Sequence, residues 1–142
     1  MKILIDTNIA IDALLKRQPF LTSSVEVLGL SKLGIALFLS ASTITDIYYI
    51  ISRTLKNKKT AMSLIKSLLA TVDIAAVTGN EIHQAISLDW GDFEDAVQYA
   101  VGESIAVDYI VTRNKNDFAS ASLPIVNPDE LLALLIPPDK SE

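Results

Sequence analysis

The sequence contains no cysteine. Disulfides, thiolate metal sites and cysteine nucleophiles are therefore excluded, and an intracellular, cytoplasmic setting is expected. It has one histidine, His83, so no site can draw two imidazole ligands from a single chain. No apolar run reaches the roughly 20 residues that a membrane-spanning helix requires, and no membrane association is expected. The longest, Leu33 to Ile44, is interrupted by Ser40, Ser42 and Thr43 and reads as a buried strand running into a helix start. No basic segment followed by a long apolar stretch opens the chain, so a secretory signal is not expected. Acidic residues are missing from a whole stretch, Ile47 to Val72, although the net charge is −5.

Half of the 142 residues are hydrophobic, enough for one domain with a substantial core and too short a chain for two. Residues 1–136 form that domain, and 137–142 read as a charged tail. There is no internal repeat and no low-complexity block. The negative balance argues against a chain held to nucleic acid by overall charge alone.

Strand-like runs are Lys2–Ile5, Ile35–Ala41, Val72–Val77, Tyr109–Val111 and Pro124–Val126. Between them lie helical segments. Ile9–Lys16 places Ile9, Ala10, Ala13 and Leu14 on one face and Asp12 and Lys16 opposite. A second helix starts near Thr22, with Val25, Leu28 and Leu33 as core candidates and Gly34 as its stop. Thr43 is the expected N-cap of a helix from Ile44 to Leu55, followed by Thr60–Thr71 with Ile65, Leu68 and Leu69 inward. Glu81–Leu88 follows a capping turn at Thr78. Asp92–Ser104 carries Phe93, Val97, Tyr99 and Val101 as apolar members, and Pro128 introduces a terminal helix. Strands alternating with helices predict an α/β three-layer sandwich around a mostly parallel sheet, because parallel strands need crossover helices.

In such a sheet the strand C-termini share one edge, and ligands usually sit there. Asp6 follows the first strand, Asp46 lies in the helix after the second, Asp92 and Asp95 open a helix three residues apart, and Thr112, Asn114 and Asp117 follow the Tyr109–Val111 strand. Each has a plain structural reading. Asp6 can cap the next helix, Thr43–Asp46 looks like a capping box, Asp92 and Asp95 suit a helix N-terminus, and Asp117 can cap a turn. Together they ask for more, because several carboxylates within a few ångströms repel one another unless a proton or cation compensates. Oxygen donors without cysteine or a nearby histidine point to Mg²⁺, with Mn²⁺ as a substitute.

The stretches Ile5-Asp6-Thr7-Asn8, Asp92-Phe93-Glu94-Asp95-Ala96 and Val111-Thr112-Arg113-Asn114-Lys115-Asn116-Asp117-Phe118 occur in this order and spacing. With them the chain resembles a PIN-domain ribonuclease, close to the VapC-type toxins of bacterial toxin–antitoxin pairs, from Lys2 to about Leu135. The resemblance implies a metal-dependent endoribonuclease in which four acidic residues hold the metal. Asp6, Asp95 and Asp117 match three of them. The second family position is usually Glu, and Asp46 is the acidic residue of the matching helix. Asn8, Thr112 and Asn114 match polar residues lining the family's site, with Asp92 beside them. The resemblance also implies an RNA substrate and an antitoxin protein as partner. The apolar segments Val25–Leu33 and Met62–Leu69 suit either core burial or an interface with the antitoxin or, in a homodimer, with a second copy.

The substrate needs positive charge. Arg53, Lys56, Lys58, Lys59 and Lys66 all fall in the acid-free stretch, five of the twelve basic residues. This is either a solvated helix surface or, beside a metal site, a track for a phosphate backbone to which Arg113 and Lys115 add. Tyr48 and Tyr49 suit core packing better than base stacking. His83 is placed on a helix surface without a role. Two other functions compete with hydrolysis. Phosphoryl transfer through an aspartyl phosphate would want a second acid two residues after Asp6, where Asn8 stands. A catalytically degenerate PIN-like module that binds RNA or protein is the alternative that keeps the fold.

Overall fold

The computed structural model describes residues 1–118 and 120–136; the expected tail, 137–142, lies outside them. Its centre is β1 (Lys2–Ile5), flanked by β2 (Ala36–Ser40) and β3 (Asp73–Ala75) on one side and β4 (Tyr109–Val111) and β5 (Ile125–Val126) on the other. The order is β3-β2-β1-β4-β5, and every pairing is parallel. Ile3, Leu4 and Ile5 are wholly buried, as expected of a central parallel strand covered on both faces. Alternation along the strand divides them. Ile3 and Ile5 join one core with Leu37, Leu39 and Val111, while Leu4 joins a second with Ile110.

Helices α1 (Thr7–Leu14), α2 (Leu21–Gly29), α3 (Ala41–Leu55), α4 (Lys58–Leu69) and α7 (Pro128–Leu135) cover the first face. Helices α5 (Gly79–Leu88) and α6 (Phe93–Ser104) cover the second. The chain thus leaves β1 toward β2 and β3, then returns across the opposite face to β4. The reversal falls between β1 and β4, the switch point at which open α/β sheets form a crevice. On α6, Gly102 lets the helix sit close to the sheet; a Cβ there would lie 3.3 Å from Ile110 Cδ1 and from Val107 Cγ2.

Four local expectations are corrected. Thr43 is not the cap of α3. The helix starts at Ala41 directly from β2, Ser40 is the capping position, and Thr43 is buried with its hydroxyl 2.8 Å from that of Ser40. Asp46 therefore lies in the second turn, beyond the free N–H groups of the helix start. On α2 the packed positions are Ser24 and Val27, followed by Leu30, whereas Val25 and Leu33 are exposed. The helix begins at Leu21 and tightens into a 3₁₀ turn over Leu30–Leu33, which shifts the inward face. Gly34 does stop it, at φ 82°. Phe93 is half exposed rather than core.

The largest departure is Asp12. Read as solvent-facing, it has no exposure at all, because α1 packs against α2 and α3 as well as the sheet. A buried carboxylate needs a partner, and it has one in Arg113.

Candidate active site

Asp6 stands at the C-terminal end of β1, and its backbone N–H still bonds across to Val111. It caps α1, with Oδ1 accepting from the Thr7 N–H at 2.7 Å, so the plain structural reading of this residue holds. That role uses only part of the carboxylate. Oδ1 also accepts from Gln98 Nε2 at 2.9 Å. Oδ2 accepts from the Thr112 hydroxyl at 2.7 Å and from Asn8 Nδ2 at 3.2 Å. Thr112 accepts in turn from the Asn114 N–H at 3.0 Å. Separate segments of chain thereby fix one acid that is 5% exposed.

Around Asp6 the other acids gather. A cavity of about 350 Å³ is lined by Asp6, Asp46, Glu94 and Asp95, with Asn8, Arg17, Tyr49 and Gln98 completing much of its wall. Asp95 is pushed up to about 7, first by partial burial and then by the charges of Asp92, Asp6, Asp117 and Glu94. Glu94 is also raised, chiefly by Asp46. Both shifts combine partial burial with the charges of neighbouring carboxylates.

Asp92 caps α6 by accepting from the Asp95 N–H at 3.0 Å; with Asp117 it lines a different surface cavity and not the acidic one. Asn114 lies beside Asp117 in a further one. Asp117 acts on Asp95 through charge, from the rim of the site.

The donors present are carboxylate oxygens, with amide and hydroxyl oxygens beside them, which suits a hard divalent cation. Their repulsion is the kind of charge deficit that such a cation relieves. Among the described residues, no group of three acidic or histidine side chains is already drawn together tightly enough to hold an ion. The Asp6 oxygens are also occupied by protein donors. The set fits Mg²⁺ or Mn²⁺ in donor chemistry and charge.

The basic candidates divide. Arg53, Lys56 and Lys58 line one cavity of about 460 Å³ at the end of α3 with Tyr48 and Tyr49. Lys59 is exposed on the next turn. Tyr49 also lines the acidic cavity, so the two adjoin; it is exposed, with the Arg53 guanidinium 5.3 Å from its ring centre. Arg113 and Lys115 are engaged elsewhere, the first with Asp12 and the second with Glu130. His83 lies on α5 without a place in the acidic cavity.

Three participants escaped the sequence reading. Gln98 was visible in principle as the one polar residue inside the apolar run Ala96–Val101, three positions after Asp95 and so on its face of the helix. Glu94 was hidden by its neighbours, since an acid between Asp92 and Asp95 looks like one more helix-start residue. Nothing in the spacing marks Arg17, which lines the acidic cavity without an acidic partner among the described residues.

A model of the PIN domain matches residues 2–116, most of the chain. This protein belongs to the PIN-domain family. Among curated proteins, Ribonuclease VapC1 of Aquifex aeolicus (strain VF5) is 26% identical over 137 residues, covering 91% of this chain and 92% of that protein. Among solved structures, VapBC2 from Rickettsia felis, bound to a DNA fragment from its promoter, is similar with a TM-score of 0.72 and 20% identity. It covers 89% of this chain and 98% of its own. VapC20 of Mycobacterium tuberculosis, a sarcin–ricin loop cleaving toxin, gives a TM-score of 0.68 at 17% identity, covering 83% and 94% respectively. At these identities the solved structures show the shared PIN fold, a parallel five-stranded sheet between helical layers.

Proposed function

We propose that this PIN domain is a divalent-metal-dependent endoribonuclease, the toxin of a toxin–antitoxin pair. The observation that carries the reading is the meeting of Asp6, Asp46, Glu94 and Asp95 around one cavity at the C-terminal end of β1. The similarity to Ribonuclease VapC1 supports the choice of substrate. Asp6, Asp95 and Asp117 would hold Mg²⁺, with Asp46 and Glu94 completing the acidic wall. The ion supplies charge neutralisation at a phosphodiester and a more acidic water.

The chain's own residues do the rest. Thr112, Asn8 and Gln98 hold the Asp6 carboxylate in one orientation. Arg17 supplies the positive charge within the cavity wall. Arg53, Lys56, Lys58 and Lys59 lie along the approach by way of Tyr49 and suit a single-stranded phosphate backbone.

The test uses purified protein with single-stranded and structured RNA, in Mg²⁺, in EDTA and as Asp6→Asn. Cleavage that needs Mg²⁺ and disappears in the variant is expected. Cleavage that survives both EDTA and the substitution overturns the reading. Binding of RNA without turnover in Mg²⁺ favours the degenerate module instead.

The antitoxin partner is supported by structural neighbours solved as VapBC or toxin–antitoxin complexes. Exposed Val25, Leu33 and Met62 are apolar surface available to that partner or to a second copy. Light scattering of the pure chain, expected at the mass of a homodimer, checks the latter.

A further inference from the structure

A second cavity, of about 300 Å³, lies on the far side of Asp46 and Glu94. It shares Thr7, Asp46, Glu94 and Gln98 with the acidic cavity, so the two are neighbours across a common wall. Its other walls differ in kind. Phe93, 49% exposed at the first position of α6, stands on one side with Ile82 and Val97. Opposite are Ser42 and Thr45 on the first turns of α3. No lysine or arginine lines it.

Gln98 stands in the wall shared by the two cavities. The Asp6 carboxylate accepts from its Nε2, which fixes which way the amide faces, since the reverse would set two acceptors against each other. Its Oε1 is left buried with no hydrogen-bond partner among the described residues, on a side chain that is 5% exposed. Such an atom is costly unless something donates to it. The carboxylates of Asp46 and Glu94 add acceptors to this wall, while Thr7, Ser42, Thr43 and Thr45 bring hydroxyls that donate as well as accept.

We infer that this second cavity is a nucleobase subsite of the RNA site, taking a base with an exocyclic amino group in preference to uracil. The inference rests on the ribonuclease reading of the neighbouring acids and adds the recognition of a base beside the cleaved bond. Single-stranded RNA is read by splaying bases onto aromatic side chains and bonding their edges. Phe93 offers the face for stacking. Adenine and cytosine bring amino donors to the acceptor wall, whereas uracil presents two carbonyl oxygens around its single N–H. Ser42 and Thr45 can serve as donor or acceptor and complete the edge.

The test is saturation-transfer NMR on the full chain in EDTA with adenosine, cytidine and uridine. These nucleosides carry no net charge, so the carboxylates do not repel them and no divalent ion is needed to offset that repulsion. Adenosine and cytidine are expected to bind several-fold better than uridine. Phe93→Ala is expected to weaken adenosine about tenfold, within the range of one base stack removed. Thr45→Val, which keeps the side-chain shape, should narrow the preference with the fold intact by circular dichroism. Equal binding of all three nucleosides, no binding of any, or adenosine binding unchanged in Phe93→Ala overturns the proposal. Mapping RNA cut sites in Mg²⁺ keeps the two readings apart. A chain that binds amino-bearing nucleosides but never cuts loses the nuclease and keeps the subsite. One that cuts without regard to base and binds no nucleoside does the reverse.

Discussion

Arg113 reaches across from the end of β4 to Asp12 on α1, with Nε 2.6 Å from Oδ2 and Nη2 3.3 Å from Oδ1. The same guanidinium lies 4.1 Å from the ring centre of Phe20. The carboxylate has no exposure, and the arginine side chain retains 25%. Removing the arginine would strand a charge in the core. Arg113→Ala is expected to cost about 3–5 kcal/mol in urea unfolding. The double variant Asp12→Leu, Arg113→Met should recover most of that loss, because an apolar pair replaces a buried ion pair at little cost. A double variant no more stable than Arg113→Ala would show that the pair does more than satisfy its own charges.

The bonds on Asp6 make a second prediction. Thr112→Val deletes the hydroxyl that donates to Oδ2 while preserving volume. A hydrogen bond to a charged group contributes about 1.5–3 kcal/mol, so unfolding should shift by that amount. Asp6→Asn should lower RNA cleavage by about two to three orders of magnitude, the scale of removing one electrostatic interaction at a reacting centre. Thr112→Val should lie between this variant and the parent.

Asp95 predicts how stability depends on pH. Its carboxyl is raised from 3.8 to about 7 in the fold, so the folded state holds a proton that the unfolded chain has released. Over that interval stability falls as pH rises; below it there is no penalty, and above about 7 the penalty is complete. Thermal unfolding in EDTA should therefore show a melting temperature declining between about pH 4 and 7. Asp95→Asn should flatten this decline and melt higher than the parent on the alkaline side of that interval. Added Mg²⁺ should restore stability to the parent more than to the variant.

Lys56 and Lys58 line the basic cavity that adjoins the acids through Tyr49. Charge reversal at either is expected to weaken single-stranded RNA binding and reduce its salt dependence, by about 0.7 in log–log slope for each phosphate no longer neutralised. Lys115→Glu, at a residue already paired with Glu130, should change that slope less. Filter binding across a salt series measures both.

The sheet and its acidic edge were legible because the strands are short apolar runs that stop at polar residues, as Ile5 stops at Asp6 and Val111 at Thr112. The start of α3 was not, because β2 turns into the helix without a loop and the Ser40 side chain, bonded to the Ser42 and Thr43 hydroxyls, caps no backbone N–H of the helix start. Asp12 was misread because helical periodicity shows one apolar face but not that a helix is enclosed on several sides. Arg17 was beyond reach for a related reason: only the path of the chain after α1 brings it to the acids. Periodicity reports what a segment does alone, and these residues are defined by what arrives from elsewhere.

The partners of Asp6 carry a consequence in time. Gln98 and Thr112 lie 92 and 106 residues further along the chain. Synthesis from the N-terminus makes Asp6 well before the donors that orient it. Until they follow, the acid is a solvated side chain on an unfinished edge. A chain that has not yet reached Thr112 cannot hold this carboxylate in its folded orientation.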